Sequence, residues 1–89
     1  MSDPFNRIPG GTATAVLEYI VRQIVDEPDA VGVVTTGGYG QPVRLRLEVA
    51  PDDVGRVIGR RGRTAQAIRA VTRAAAARDG EEVLVDIAD

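Results

Sequence analysis

The residues in this sequence best suited to chemistry are Gly59-Arg60-Arg61-Gly62, two glycines enclosing two guanidinium groups. Glycine permits backbone angles closed to other residues and carries no Cβ to hold a ligand off. Arg60 and Arg61 must project outward, because a turn this short cannot bury them. Arg56 and Arg63 flank the pair, and Val57, Ile58 and Thr64 complete the segment. A guanidinium offers a planar, permanently charged fork of donors matched to phosphate oxygens. The chemistry on offer is therefore the grip of a polyanion. Catalysis is not expected. The chain has no Cys and no His, and Ser2 is its only serine. That removes disulfides, cysteine metal sites, Ser-His-Asp triads and the commonest general base and metal ligand. No carboxylate pair or nucleophile-base set stands out, so neither an enzyme nor a bound cofactor or metal is expected. A dinucleotide site also lacks its third glycine and the strand immediately before it.

These residues need elements to hold them. Val54, Val57 and Ile58 share one face at i, i+3 and i+4, which predicts a short helix before Gly59, capped by Asp52 or Asp53. A longer helix is expected from about Arg63 to Arg78, with Ile68, Val71, Thr72 and Ala75 buried and Gln66, Arg69 and Arg73 opposite. Its unpaired N–H groups and positive dipole end face the glycine turn, which makes an anion site. Gly80 suits the left-handed cap at its far end. Upstream, Val16, Leu17, Ile20, Val21, Ile24 and Val25 form one apolar helical stripe, capped by Thr12 or Thr14 and stopped by Asp26-Glu27-Pro28-Asp29. Val31, Val33 and Thr35 alternate in a first strand. Val43 to Val49 alternates without a break, which predicts a strand with one dry and one wet face. Gly37-Gly38-Tyr39-Gly40-Gln41-Pro42 joins the two as a hairpin loop, and Glu82 to Ile87 is a last strand. The hairpin makes the first two strands antiparallel, and the helical crossover makes the last two parallel. The expected fold is α+β in the order α-β-β-α-α-β, a mixed three-stranded sheet with three helices on one face. Residues 1–11 read as a flexible N-terminal arm, and 12–89 as the single domain that 89 residues can hold.

Charge divides the chain unevenly. The net charge is -2, yet seven of the eleven Arg (56, 60, 61, 63, 69, 73 and 78) fall between Gly55 and Arg78, a stretch free of Asp and Glu. That stretch carries +7; the remainder sets four Arg against thirteen acids and carries -9. Two readings are open: a helix with a solvated cationic face, or a local footprint for a polyanion on an otherwise acidic body.

The segment DDVGRVIGRRGRTAQAIR at 52–69 resembles the KH domain, whose G-x-x-G loop clamps a backbone of about four nucleotides. LEYIVRQIVDEPDAV at 17–31 and VLVDI at 83–87 fit the same pattern, and the order of elements resembles the type II, prokaryotic arrangement. The chain is similar to the small bacterial single-KH proteins, the KhpA group, from about Leu17 to Ile87. Two features depart from that pattern: Arg stands wherever Lys is expected, which points to a G+C-rich genome, and the hairpin loop at 36–42 is extended by glycines. The resemblance implies a single-stranded RNA ligand. Gly59 to Gly62 would hold its backbone, within a site made of Arg56, Val57, Ile58, Gly59, Arg60, Arg61, Gly62, Arg63 and Thr64. It also implies a shallow groove in which Val54, Val57, Ile58 and Ile68 offer apolar surface to the bases; core packing is the other reading for each of these. Only Phe5, Tyr19 and Tyr39 are aromatic, so stacking should contribute little. Tyr39 either stacks from its loop or is solvated. The resemblance further implies a homodimer, a pairing with a larger, multidomain RNA-binding protein of the Jag type, and a role as an RNA chaperone or post-transcriptional regulator. The surface opposite the sheet-packed helices is the expected interface.

Backbone contacts position a ligand and carry no sequence information directly, so low sequence specificity is expected. The N-terminus has no basic stretch followed by an apolar run, and no segment approaches the ~20 apolar residues of a membrane span. A cytoplasmic protein without membrane contact is expected. The alternative function is a KH-shaped protein-interaction module without RNA binding, which the acidic overall charge favours.

Overall fold

The computed structural model describes residues 9–87. In chain order these form α1 (Gly11–Ile24), β1 (Gly32–Gly37), β2 (Val43–Glu48), α2 (Val54–Ile58), α3 (Arg63–Arg78) and β3 (Val83–Ile87). Single 3-10 turns stand at Pro28–Ala30, Pro51–Asp53 and Arg60–Gly62. The sheet order is β1-β2-β3, with β1 antiparallel and β3 parallel to the central β2. This is the expected α+β order and the expected mixed sheet.

Along β2, Val43, Leu45 and Leu47 are buried while Arg44, Arg46 and Glu48 are exposed. The period of two in the sequence is the reason: it sends every apolar side chain to one face. That face shares a core with Leu17 and Val21 of α1, Val57 of α2, Ile68 and Ala76 of α3, and Val83 and Val85 of β3. Each large aliphatic side chain withdrawn from water there contributes about 1.5–3 kcal/mol. The opposite face stays wet and carries exposed ion pairs, Arg44 with Asp86 at 2.8 Å and Arg46 with Glu48 at 3.0 Å. Among the described residues no helix is long and apolar enough to cross a membrane.

Several local expectations are corrected. No threonine caps α1. The helix starts at Gly11 with Gly10 as its N-cap, and Thr12 and Thr14 lie inside the first turn. The buried Gly10 amide is instead held by the Glu81 carboxylate, 3.1 Å from each oxygen. The arm expected over 1–11 falls largely outside the described residues; of its last residues, Gly10 and Gly11 belong to the folded body. On α3 the buried residues are Ala65, Ile68, Thr72 and Ala76, not Val71 or Ala75. Val71 is 49% exposed. Alanine is compatible with either face, so an alanine-rich helix does not announce its inner stripe. Thr72 is accommodated because its hydroxyl donates to the Ile68 carbonyl at 2.7 Å. Arg69 is not opposite the sheet: it is half-buried, and its Nε–H donates to the Val85 carbonyl of β3 at 3.1 Å. The C-terminus of α3 behaves as expected. The Gly80 N–H bonds the Ala77 carbonyl and the Glu81 N–H the Ala76 carbonyl, each at 3.0 Å, around a left-handed Gly80.

Candidate nucleic-acid interface

The crossover between β2 and β3 places the glycine turn. After β2, Pro51–Asp53 turns the chain into α2, and α2 stops at Gly59, whose N–H closes onto the Gly55 carbonyl at 2.9 Å. Gly59 adopts φ 75°, ψ 176°, a conformation essentially reserved for glycine. A Cβ at this position would overlap the Thr64 side chain. Arg61 follows in the left-handed region (φ 59°, ψ 24°), and Gly62 at φ 74°, ψ 11° becomes the N-cap of α3. At Gly62 the space a Cβ would occupy is open. The two glycines therefore differ: Gly59 is required by packing as well as backbone angle, whereas Gly62 serves backbone angle and leaves the approach to α3 clear.

No side chain caps α3, and its first turn contains no acidic residue. The Gly62 N–H closes onto the Gly59 carbonyl and the Arg63 N–H onto the Arg60 carbonyl, and the positive dipole end of α3, equivalent to roughly half a unit charge, faces the turn. Arg60, Arg61 and Arg63 are exposed around it. Among the described residues no carboxylate lies within ion-pair distance of these three. Backbone donors at the centre with guanidinium groups at the rim form an arrangement that accepts phosphate oxygens.

The other expected site residues divide. Ile58, Gly59, Gly62 and Thr64 are half-buried at the turn. Val57 has no exposed surface, and its side chain anchors α2 in the core. Ile68 is likewise core, while Val54 and Ile58 keep partial exposure and are the residues of that group with apolar surface to offer. Arg56 is exposed but engaged: it reaches Asp26 at 2.9 Å and Asp53 at 3.5 Å. The seven-Arg run therefore does not act as one patch. Arg56 is paired, Arg69 lies over β3, and Arg78 sits at the opposite end of a 16-residue helix, roughly 22 Å from Arg63 at 1.5 Å per residue. Tyr39 is 89% exposed, in the loop before β2, whereas the glycine turn lies beyond the other end of that strand. It does not join the site.

A family profile described as KhpA/KhpB, KH domain, matches residues 14–87. The chain belongs to this KH-domain family. It is 44% identical over 72 residues to the RNA-binding protein KhpA of Caldanaerobacter subterraneus subsp. tengcongensis, a match covering 81% of this chain and 95% of that one. Against the RNA-binding protein KhpA of Clostridium acetobutylicum the identity is 47%, with the same coverage of both chains. Against that of Streptomyces coelicolor it is 46% over 71 residues, covering 80% of this chain and 89% of the relative. The matched region contains the whole KH crossover: β2, α2, the glycine turn, α3 and β3.

Two features of the site were not legible in the sequence: the tie of Asp53 and Arg56 to the end of α1, and the bond from Arg69 to β3. Both join residues far apart in the chain, and no local spacing announces them.

Proposed function

We propose that this KH domain binds single-stranded RNA by its phosphate backbone at Gly59–Gly62, with Arg60, Arg61 and Arg63 as the cationic rim and the first turn of α3 supplying backbone donors. The observation that carries the reading is the uncapped α3 N-terminus beneath a turn whose arginines have no carboxylate partners among the described residues. The relatives named as RNA-binding proteins support it. The protein acts by binding, not by catalysis, with low sequence specificity, because backbone contacts do not read bases. One domain with so small a footprint binds weakly; a second module raises its effective concentration. Homodimerisation, or pairing with a larger Jag-type RNA-binding protein, supplies that module in a cytoplasmic chaperone or post-transcriptional role. The wet face of the sheet, where Val34 and Leu84 are exposed, is the proposed interface. A strict monomer in sedimentation would remove the homodimer.

The test of the site is the double change Arg60→Asp/Arg61→Asp, with folding checked by circular dichroism and a labelled single-stranded RNA titrated at several salt concentrations. Wild type should bind with a log-log salt slope of about -2 to -3, from three or four phosphates at roughly 0.7 each. The double variant should lose at least about tenfold in affinity, and the slope should shrink by about 1.4. Equal binding by both proteins would falsify the site. No binding by wild type would leave the KH-shaped interaction module.

A further inference from the structure

Asp53 is a charged residue with 1% of its surface exposed. Gripping an anion does not explain it, since a carboxylate near a phosphate opposes the ligand. It occupies the N-cap position of α2 but caps nothing there. The turn Pro51–Asp53 closes the start of α2 through backbone alone: the Asp53 N–H bonds the Ala50 carbonyl at 2.8 Å and the Val54 N–H bonds the Pro51 carbonyl. The carboxylate is thereby free to reach across the fold. Oδ1 accepts the Asp26 N–H at 3.0 Å, and Oδ2 accepts the Glu27 N–H at 3.1 Å. These two amides lie just past the end of α1, where helical hydrogen bonding has run out. Arg56 closes the cluster, its Nη2 2.9 Å from Asp26 Oδ2 and its Nε 3.5 Å from Asp53 Oδ1.

The cluster acts on a weak element. Helix α2 has five residues and one fully buried side chain, Val57. A helix that short has no stability of its own and takes its direction from what it is fastened to. Asp53 stands at one end of it and Gly59 at the other. We infer that Asp53 is a positioning residue: by clamping the end of α1 through two backbone amides it sets the direction of α2, and through α2 the geometry in which the Gly59–Gly62 turn meets phosphate. This rests on the RNA reading proposed above.

The isosteric change Asp53→Asn separates positioning from electrostatics by sign. Asparagine offers one acceptor oxygen where two are used. Removing a negative charge near the site, with Arg56 still held by Asp26 at 2.9 Å, tightens polyanion binding if the turn keeps its geometry; loss of positioning weakens it. Labelled single-stranded RNA is titrated against wild type, Asp53→Asn and Val83→Ala, a core truncation at the far end of the sheet that controls for lost stability. Asp53→Asn should weaken binding about tenfold, the worth of one charge-assisted hydrogen bond, and reduce the salt slope by about 0.7, one phosphate contact. Val83→Ala should change neither quantity at temperatures where it stays folded. Binding by Asp53→Asn as tight as wild type, or tighter, overturns the inference, and so does an equal loss in Val83→Ala. Amide exchange without RNA gives an independent reading: the amides of Gly59 to Gly62 should exchange faster in Asp53→Asn than in Val83→Ala. Unchanged exchange overturns the inference whether or not RNA binds, whereas failure of wild type to bind RNA overturns only the functional reading. If Asp53→Asn does not fold, Asp53→Glu keeps the charge and displaces the carboxylate by one methylene, and the same readings apply.

Discussion

The turn Gly59–Gly62 and the loop Gly37–Gly40 invite comparison. Each joins two regular elements, each contains glycines at positive φ, and each holds one non-glycine residue in the left-handed region, Arg61 in the first and Tyr39 in the second. Both are short segments bounded by glycines. The fold separates them by placing them beyond opposite ends of β2 and beside opposite ends of α3. The turn meets the N-terminus of α3, where the dipole is positive, the rim is arginine and the first turn has no acid. The loop shares a hollow with Gly80, Glu81 and Glu82, beyond the C-terminus of α3, where the dipole is negative and the nearby side chains are acidic. Glycine makes a close approach possible; the sign of the helix end and of its neighbours decides what approaches.

The sharpest way to break that contrast is to put a methyl group at each place. Gly59→Ala forces an alanine into glycine-only backbone angles and against Thr64, and should cost about 3–5 kcal/mol, the sum of backbone strain and overpacking. Urea unfolding would show this as a lower midpoint at unchanged slope, and RNA binding should fall with it, since the start of α3 must shift. Gly40→Ala meets open space at φ 96° and should cost about 1–2 kcal/mol of strain, with RNA affinity untouched. If the two variants weaken RNA binding alike, the contrast fails.

Gly62→Ala gives an intermediate effect and divides the site more finely. Nothing crowds a Cβ there, so stability should fall only by about 1–2 kcal/mol, the left-handed penalty. RNA affinity should still drop several-fold, because the new methyl occupies the open approach to the α3 amides. A titration showing full affinity in this variant would place the ligand elsewhere on the turn.

What could be read from the sequence follows from the same physics. Strand β2 was legible because Val43 to Val49 alternates perfectly, and α3 because glycines bound a long run of helix formers. The positions of Gly59 and Gly62 at the start of α3 followed from those boundaries. Bonds between distant residues were not legible. Gly10 replaces threonine as the cap of α1 because Glu81, 71 residues away, holds its amide. Asp53 abandons its own helix for amides 26 and 27 residues upstream. Charge misled in a different way: seven arginines close in sequence are spread over α2, the turn and α3, and three of them, Arg60, Arg61 and Arg63, surround the turn.

The smallest effect belongs to Tyr39, and it tests the contrast from the acidic side. Its ring is almost fully exposed and stands in a loop with left-handed backbone angles (φ 53°). Asparagine tolerates those angles, so Tyr39→Asn removes the ring without adding backbone strain. Stability should change by no more than about 0.5 kcal/mol, as expected for a surface position outside the core. RNA affinity should stay within about twofold of wild type, because the proposed site lies beyond the other end of β2 and base stacking, worth roughly 1–3 kcal/mol where it operates, is not expected from this loop. A several-fold loss in the same titration would show that the ligand runs the length of the sheet and that the glycine loop, despite its acidic surroundings, contributes an aromatic platform to it.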